Sequence, residues 1–376
     1  MEHRAGGFHR ERLQDGRAMN AIALDDLMSG RNRRALASLS RAGLLAAVPF
    51  YRAAVAVRNT AYDRGAVKPH RLPVPVISVG NITTGGTGKT PVVIEIVRRL
   101  RRKGASPAVL LRGYKSRDGQ SDEALVLERE LGGDVPMRAD PDRVAGFTHV
   151  KQQHSDTNMV VLDDGFQHRR VHRNLDIVLI DATNPFGHDH LLPRGLLREP
   201  AANLRRADAA VVTRADEVDR DTLAAIDRRV ASITGRVPIA HAAHVWSALL
   251  NEHDEPAGLT ALAGLAVAAV CGIGNPGSFK RALKRHAGSI AWFEDNPDHT
   301  PYTPAHCERI FAAAGNADAL VTTEKDWVKL RHGLPMDGKP PIRVYRPVLR
   351  IDLLDGSDAI DTLLDQCLAE HDKTTA

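Results

Sequence analysis

The stretch VISVGNITTGGTGKTP, residues 76–91, decides the fold. A short β-rich run ends at Gly80, a loop containing Gly85, Gly86 and Gly88 follows, and Lys89, Thr90 and Pro91 open a helical segment reaching Arg102. Each part suits a phosphate. Glycines let backbone N–H groups turn towards anionic oxygens without a Cβ in the way. The helix N-terminus adds a partial positive charge. Pro91 costs little there, because its missing N–H would have been unpaired anyway. Lys89 is placed to reach the β- and γ-phosphates of a nucleotide, and the Thr90 hydroxyl to bind Mg²⁺. The pattern therefore predicts an ATP-binding loop of Thr83, Thr84, Gly85, Gly86, Thr87, Gly88, Lys89 and Thr90.

The general motif GxxxxGK[ST] asks for glycine at position 83, and this chain has Thr83. GGTGKT is closer to the deviant loops of partitioning and septum-positioning ATPases, which carry a signature lysine where this chain has Thr84. The loop alone thus establishes a nucleotide and leaves the chemistry open.

Short apolar runs recur along the chain at Ala108–Leu111, Met159–Leu162, Ile177–Ile180, Ala209–Val212, Ala266–Val270 and Ala319–Val321, several separated by helical stretches. Buried strands alternating with helices predict an α/β fold: a P-loop NTPase-like, mostly parallel sheet flanked by helices. A polar stretch from Asn251 to Gly258 follows Val237-Pro238-Ile239 and precedes a new strand–loop unit. It suggests a nucleotide-binding domain over 73–235 and a second, smaller α/β domain over 236–376.

Residues 1–70 carry twelve Lys/Arg against six Asp/Glu, a net of +6 in a chain whose total is +5. The basic character therefore lies entirely at the N-terminus. No nucleic-acid reading motif accompanies it, so an anionic membrane surface is the expected partner of a helical segment over 19–72. Residues 33–58 read as one helix, or two joined at Pro49, and either packing on the core or docking at an interface fits their apolar pattern. Ala42–Tyr51 is far shorter than the roughly 18–20 residues of a spanning helix. Residues 1–18 read as an unstructured extension, with Met19 an alternative start. Three cysteines without a CxxC spacing argue against a disulfide framework or structural zinc and fit a reducing compartment.

A P-loop needs an acidic partner at the end of another strand to hold Mg²⁺. Met159-Val160-Val161-Leu162 runs into Asp163 and Asp164, which supply it, and Gly165-Phe166-Gln167-His168 follows. Three polar loops stand out: LRGYKSR (111–117) with Asp122-Glu123 after it, LPRGLLREP (192–200), and NPDHTPYT (296–303). Loops at strand ends carry the sites of such sheets.

Taken together the motifs resemble the tetraacyldisaccharide 4′-kinase (lipid A 4′-kinase) family. The resemblance covers roughly residues 36–350. It rests on VGN-x-x-x-GGTGKTP at 79–91, RGY at 112–114 with the DE pair at 122–123, DDGFQH at 163–168 and LREP at 197–200. Gly272-Ile273-Gly274-Asn275-Pro276, the DH-x-x-Y-T segment at 298–303 and TEKD at 323–326 complete it. Departures are Lys115 after RGY, Ser121 before the DE pair, Thr300 after Asp298-His299, and Arg194.

The resemblance implies phosphoryl transfer from ATP, with Mg²⁺, to the 4′-hydroxyl of an acylated glucosamine disaccharide 1-phosphate, giving lipid IVA in lipid A biosynthesis. It places this enzyme on the cytoplasmic face of the inner membrane, peripheral or monotopic, with no obligate protein partner. Asp122 and His299 would form the catalytic dyad, with Asp122 the base. Lys89, Arg143 and Arg198, with Glu123, would manage phosphate and substrate charge, and Thr90, Asp163, Asp164 and Glu199 would hold the metal. The competing reading is a membrane-associated ATPase switch that phosphorylates no metabolite; Thr84 in place of the signature lysine counts against it.

Overall fold

The computed structural model describes residues 27–30, 33–113, 122–297, 300–334 and 340–375. The predicted extension over 1–18 and the residues Asp298 and His299 lie outside them. In chain order the principal elements begin with α1 (Ala35–Asp63), β1 (Val76–Asn81), α2 (Lys89–Arg102), β2 (Pro107–Leu111), α3 (Asp122–Leu131) and β3 (Met137–Ala139). Next come α4 (Arg143–Gln153), β4 (Met159–Asp163), β5 (Leu175–Asp181), β6 (Ala209–Thr213), α5 (Arg220–Thr234), β7 (Ala240–Asn251) and β8 (Pro256–Ala257). The chain closes with β9 (Ala266–Cys271), α6 (Pro276–His286), β10 (Ser289–Asp295), α7 (Pro304–Ala314), β11 (Ala319–Thr322), α8 (Glu324–Leu330), β12 (Val344–Leu353) and α9 (Ser357–Thr375).

Two compact units result. The larger comprises Phe50–Leu191, Leu197–Ser247 and Val348–Ala376; the smaller takes in Ala248–Pro347, Leu192–Leu196 and the residues up to Pro49. The C-terminal segment therefore folds with the nucleotide-binding unit, a return that a single boundary near 235 does not anticipate.

In the larger unit the strand order is β7-β6-β5-β1-β4-β2-β3, and every pairing along it is parallel. β1, β2, β4, β5 and β6 are buried at every position. Such continuous burial requires cover on both faces, which is why these strands read as unbroken apolar runs. α2 covers one face with Val92, Val93, Ile96, Val97 and Leu100. Against the same core α9 packs Ile360, Leu364 and Cys367, and Arg99 of α2 and Lys103 just after it reach Asp361 and Asp365 of α9 at 2.8 and 2.7 Å. The register pairs Val79 of β1 with Asp163 of β4, so the phosphate loop and the paired aspartates leave adjacent strands at the same edge.

The smaller unit orders β10-β9-β11-β12, again parallel. Its core gathers Val270, Ile310, Phe311, Leu320, Trp327 and Val344. Cys271, Cys307 and Cys367 are all buried free thiols.

α1 is one helix of 29 residues with Pro49 inside it. Leu36, Leu39, Leu45, Phe50 and Val57 are exposed, Phe50 to 79%. A helix packed wholly on the core would have covered them, so this face is unlike an ordinary core helix. Among the described residues no helix is long and apolar enough to cross a membrane.

Candidate active site

The loop after β1 is fastened from below. Asn81 donates from Nδ2 to Thr87 Oγ1 at 2.8 Å, and Thr213 Oγ1, from the end of β6, donates to the Thr87 carbonyl at 3.1 Å. Arg214 is buried, pairs with Asp181, and donates from Nη2 to the Gly86 carbonyl at 2.6 Å. Gly85 and Gly88 hold φ of 106° and 77°. The second caps α2 and leaves the first N–H groups of the helix facing the loop. The ring of His244, from β7, lies where a side chain at residue 88 would go: a Cβ there would sit 2.0 Å from Cε1 and Nε2. Burial above all, with Arg214 beside it, pushes this imidazole down to about 3, so it is neutral at physiological pH.

At the mouth of the loop three charged groups meet. Lys89 Nζ lies 3.5 Å from Asp164 Oδ1 and 3.4 Å from Asn81 Oδ1. Arg198 Nη1 lies 2.8 Å from both oxygens of Asp164 and 3.2 Å from Gln167 Oε1. Burial alone would raise the pKa of Asp164, but Lys89 and Arg198 outweigh it and hold the carboxyl below its ordinary value. Asp164 adopts a left-handed φ of 54°, uncommon for a residue with a side chain and often found at functional turns. Arg143, buried in the first turn of α4, is pushed down to about 10 by burial, against the pull of Asp163 and Asp164 nearby. Arg173 props the aspartate loop from behind, donating from Nη2 to the carbonyls of Gly165, Phe166 and His168 at 2.5, 3.1 and 2.9 Å. Gln167 ties the two loops together through a 2.8 Å bond from Nε2 to the Asn81 carbonyl.

This donor set fits a divalent cation carried by a nucleotide. Asp163 ends β4 in register with Val79 of β1, Asp164 follows it and meets Lys89 at 3.5 Å, and Thr90 comes next to Lys89 in the first turn of α2. Among the described residues no group of three or more His, Cys, Asp or Glu forms a metal cage. Mg²⁺ is ordinarily held by one or two carboxylates plus substrate phosphates and water, so such a cage is not required.

Glu199 requires a correction. Its side chain is fully buried and committed: Oε1 accepts from Arg58 at 2.9 Å, and Oε2 from Asn59, Asn203 and Arg206 at 2.8, 2.7 and 2.8 Å. Its carboxylate is thus engaged by four protein donors and ties polypeptide segments together, which favours a structural role over a metal ligand. Replacing Glu199 by Ala would strand Arg206 in the interior and should lower stability by about 3–5 kcal/mol. Urea unfolding checks this; unchanged stability with a shifted Mg²⁺ requirement would restore the metal role.

Asp122 is the first residue of α3, with Glu123 next to it. Asp298 and His299 fall outside the described residues. In the smaller unit the remaining motifs do come together. Asp326 of TEKD accepts from Gly272 N at 2.9 Å, Thr323 Oγ1 at 2.5 Å and Tyr302 Oη at 3.0 Å.

Sequence reasoning missed Asn81, Arg173, Arg214 and His244. Asn81 sits inside the quoted VGN, and its polar side chain ending a buried strand is a signal. Arg214 and His244 reach the loop from other strands, Arg173 acts on the main chain of its own loop, and nothing in their neighbourhoods marks them.

Fold and site define a P-loop protein built to hold a nucleoside triphosphate. Comparison narrows this. The family profile described as tetraacyldisaccharide-1-P 4′-kinase matches residues 41–369. A tetraacyldisaccharide 4′-kinase of Anaeromyxobacter sp. (strain K) is 38% identical over 354 residues, 89% of this chain and 92% of that protein. That of Geobacter sulfurreducens is 36% identical over 361 residues, covering 91% and 98%. A crystal structure of LpxK from Aquifex aeolicus, an "apo" form in complex with ATP, is similar at a TM-score of 0.66 and 29% identity, covering 87% of this chain and 99% of that one. The chain belongs to the tetraacyldisaccharide-1-P 4′-kinase family.

Proposed function

We propose that this protein transfers the γ-phosphoryl group of ATP to the 4′-hydroxyl of a tetraacylated glucosamine disaccharide 1-phosphate. The observation that carries the reading is the Lys89–Asp164–Arg198 cluster on the phosphate loop of a chain in this kinase family. The loop N–H groups, the start of α2 and Lys89 grip the β- and γ-phosphates. Lys89 and Arg198 now share the Asp164 carboxylate; arriving phosphate oxygens compete for the same donors, which positions both cations on the charge that builds during transfer. Arg143 lends positive potential from behind the aspartates. Thr90 and Asp163, with Asp164 beside them, would hold Mg²⁺, which neutralises phosphate charge when bound. Asp122 takes the proton of the attacking hydroxyl, with His299 tuning it and Glu123 alongside.

The substrate is a lipid, and α1 offers the means of reaching it. Its exposed Leu36, Leu39, Leu45 and Phe50 are interspersed with Arg33, Arg34, Arg41 and Arg52, the combination that docks a helix in the plane of an anionic bilayer. Docked in this way, the protein would sit monotopically on the cytoplasmic face of the inner membrane.

Purified protein with Mg-ATP and the disaccharide 1-phosphate in anionic vesicles should yield radiolabelled lipid. Hydrolysis of ATP without labelled lipid would sink the reading. Replacing Leu36, Leu39 and Phe50 together by Asp should move the protein from the vesicle pellet to the supernatant, by about tenfold or more in partition. Unchanged sedimentation would remove α1 from the membrane.

A further inference from the structure

The C-terminal half of α1 does more than lie near the surface. Tyr51 Oη donates to the Arg198 carbonyl at 2.9 Å. Two turns on, Arg58 and Asn59 donate to the two oxygens of Glu199 at 2.9 and 2.8 Å. The Arg198 N–H in turn donates to the Ile82 carbonyl at 2.8 Å, at the root of the phosphate loop. Arg198 and Glu199 are thus held by the loop on one side and by the helix on the other. From the same residue, the Arg198 guanidinium grips Asp164, and Asp164 meets Lys89. A second clamp repeats the arrangement: Arg169, just past the aspartate loop, donates to the Asn59 carbonyl at 3.1 Å and to Asp63 at 2.7 Å, with its guanidinium 5.0 Å over the Tyr62 ring.

We infer that Tyr51 and Asn59 are positioning residues for Arg198, so that the helix bearing the exposed apolar face is also one wall of the phosphate site. This rests on the kinase reading only for what Arg198 stabilises. The physical basis is burial. Asn59 is 6% exposed and Glu199 fully buried, so losing the Asn59 donor leaves Oε2 drawn only towards Asn203 and Arg206, and the dipeptide shifts with it. Tyr51 has its hydroxyl on a main-chain carbonyl; burial raises its pKa, and it remains a donor at physiological pH. A displacement of Arg198 by a fraction of an ångström weakens charge stabilisation in the transition state more than ground-state binding of ATP, which the loop N–H groups and Lys89 retain. Removing α1 outright would disturb the phosphate site as well as any membrane docking, because Tyr51, Arg58 and Asn59 hold Arg198 and Glu199.

The test is a double-mutant cycle of Tyr51→Phe and Arg198→Lys, read on lipid phosphorylation and on slow hydrolysis of ATP without lipid. Tyr51→Phe should lower kcat about fivefold, as expected for one hydrogen bond, with KM for ATP and vesicle sedimentation unchanged. In the Arg198→Lys background the same change should cost little more, because its effect passes through Arg198. Asn59→Ala should lower kcat further and Asn59→Gln recover part of it. Full additivity of Tyr51→Phe and Arg198→Lys, an unchanged kcat, or a loss that follows vesicle release overturns the inference. A wrong lipid assignment would instead abolish the phosphorylation readout and leave the hydrolysis cycle intact.

Discussion

Replacing Asp122 by Ala should lower turnover by roughly 10²–10⁴-fold, the range for loss of a general base, while ATP still binds. Asp122 is the first residue of α3. A sugar hydroxyl is a poor nucleophile, and its proton must leave as the P–O bond forms. The residues that would bind ATP come from other segments: the loop over 83–90, Asp163 and Asp164 after β4, and Arg198. A base that acts only on the acceptor hydroxyl leaves these segments intact, so calorimetric affinity for ATP should stay within about threefold, under 1 kcal/mol. Asp122→Asn keeps the shape and removes the basicity, and should fail as Ala does. Normal turnover in either variant would end the assignment of Asp122 as base. Weakened ATP binding in parallel with turnover would mean that it serves the nucleotide.

Much of this architecture is legible in the chain because local pattern and tertiary role coincide. The loop over 83–90 is both a string of glycines and a phosphate cradle, and Asp163 is both the end of an apolar run and the neighbour of Val79 across the sheet. Illegible features depend on contacts between distant positions. Glu199 lies in a motif with charged neighbours and reads as a ligand; only the convergence of Arg58, Asn59, Asn203 and Arg206 makes it a structural tie. The return of α9 onto α2 escapes for the same reason, since an amphipathic C-terminal helix carries no label for the core it will cover. Asp326 lies within TEKD, but its three donors come from Gly272, Tyr302 and Thr323, and the first two lie in separate motifs.

Gly88→Ala should reduce ATP affinity by about 100-fold or more, and the reason is not the motif itself. Residue 88 holds φ at 77°, where an L side chain costs about 1–2 kcal/mol. That term alone is worth roughly tenfold. The added methyl would also lie 2.0 Å from two atoms of the His244 ring, far inside contact distance. His244 is 5% exposed on β7, so ring and loop must shift against each other. Gly88 caps α2, and any shift there swings the first N–H groups of the helix away from the phosphates. Adding His244→Ala removes the clash and leaves the backbone strain. The double variant should therefore bind ATP more tightly than Gly88→Ala alone and still less tightly than the native protein. Gly85→Ala separates the two effects differently, because φ is 106° there but nothing lies within 4 Å of the added Cβ. Its penalty should be strain alone and should be insensitive to His244. ATP titrations of the four variants decide the matter: equal affinity with and without His244 in the Gly88→Ala background would show that backbone strain, not the imidazole, sets the requirement for glycine.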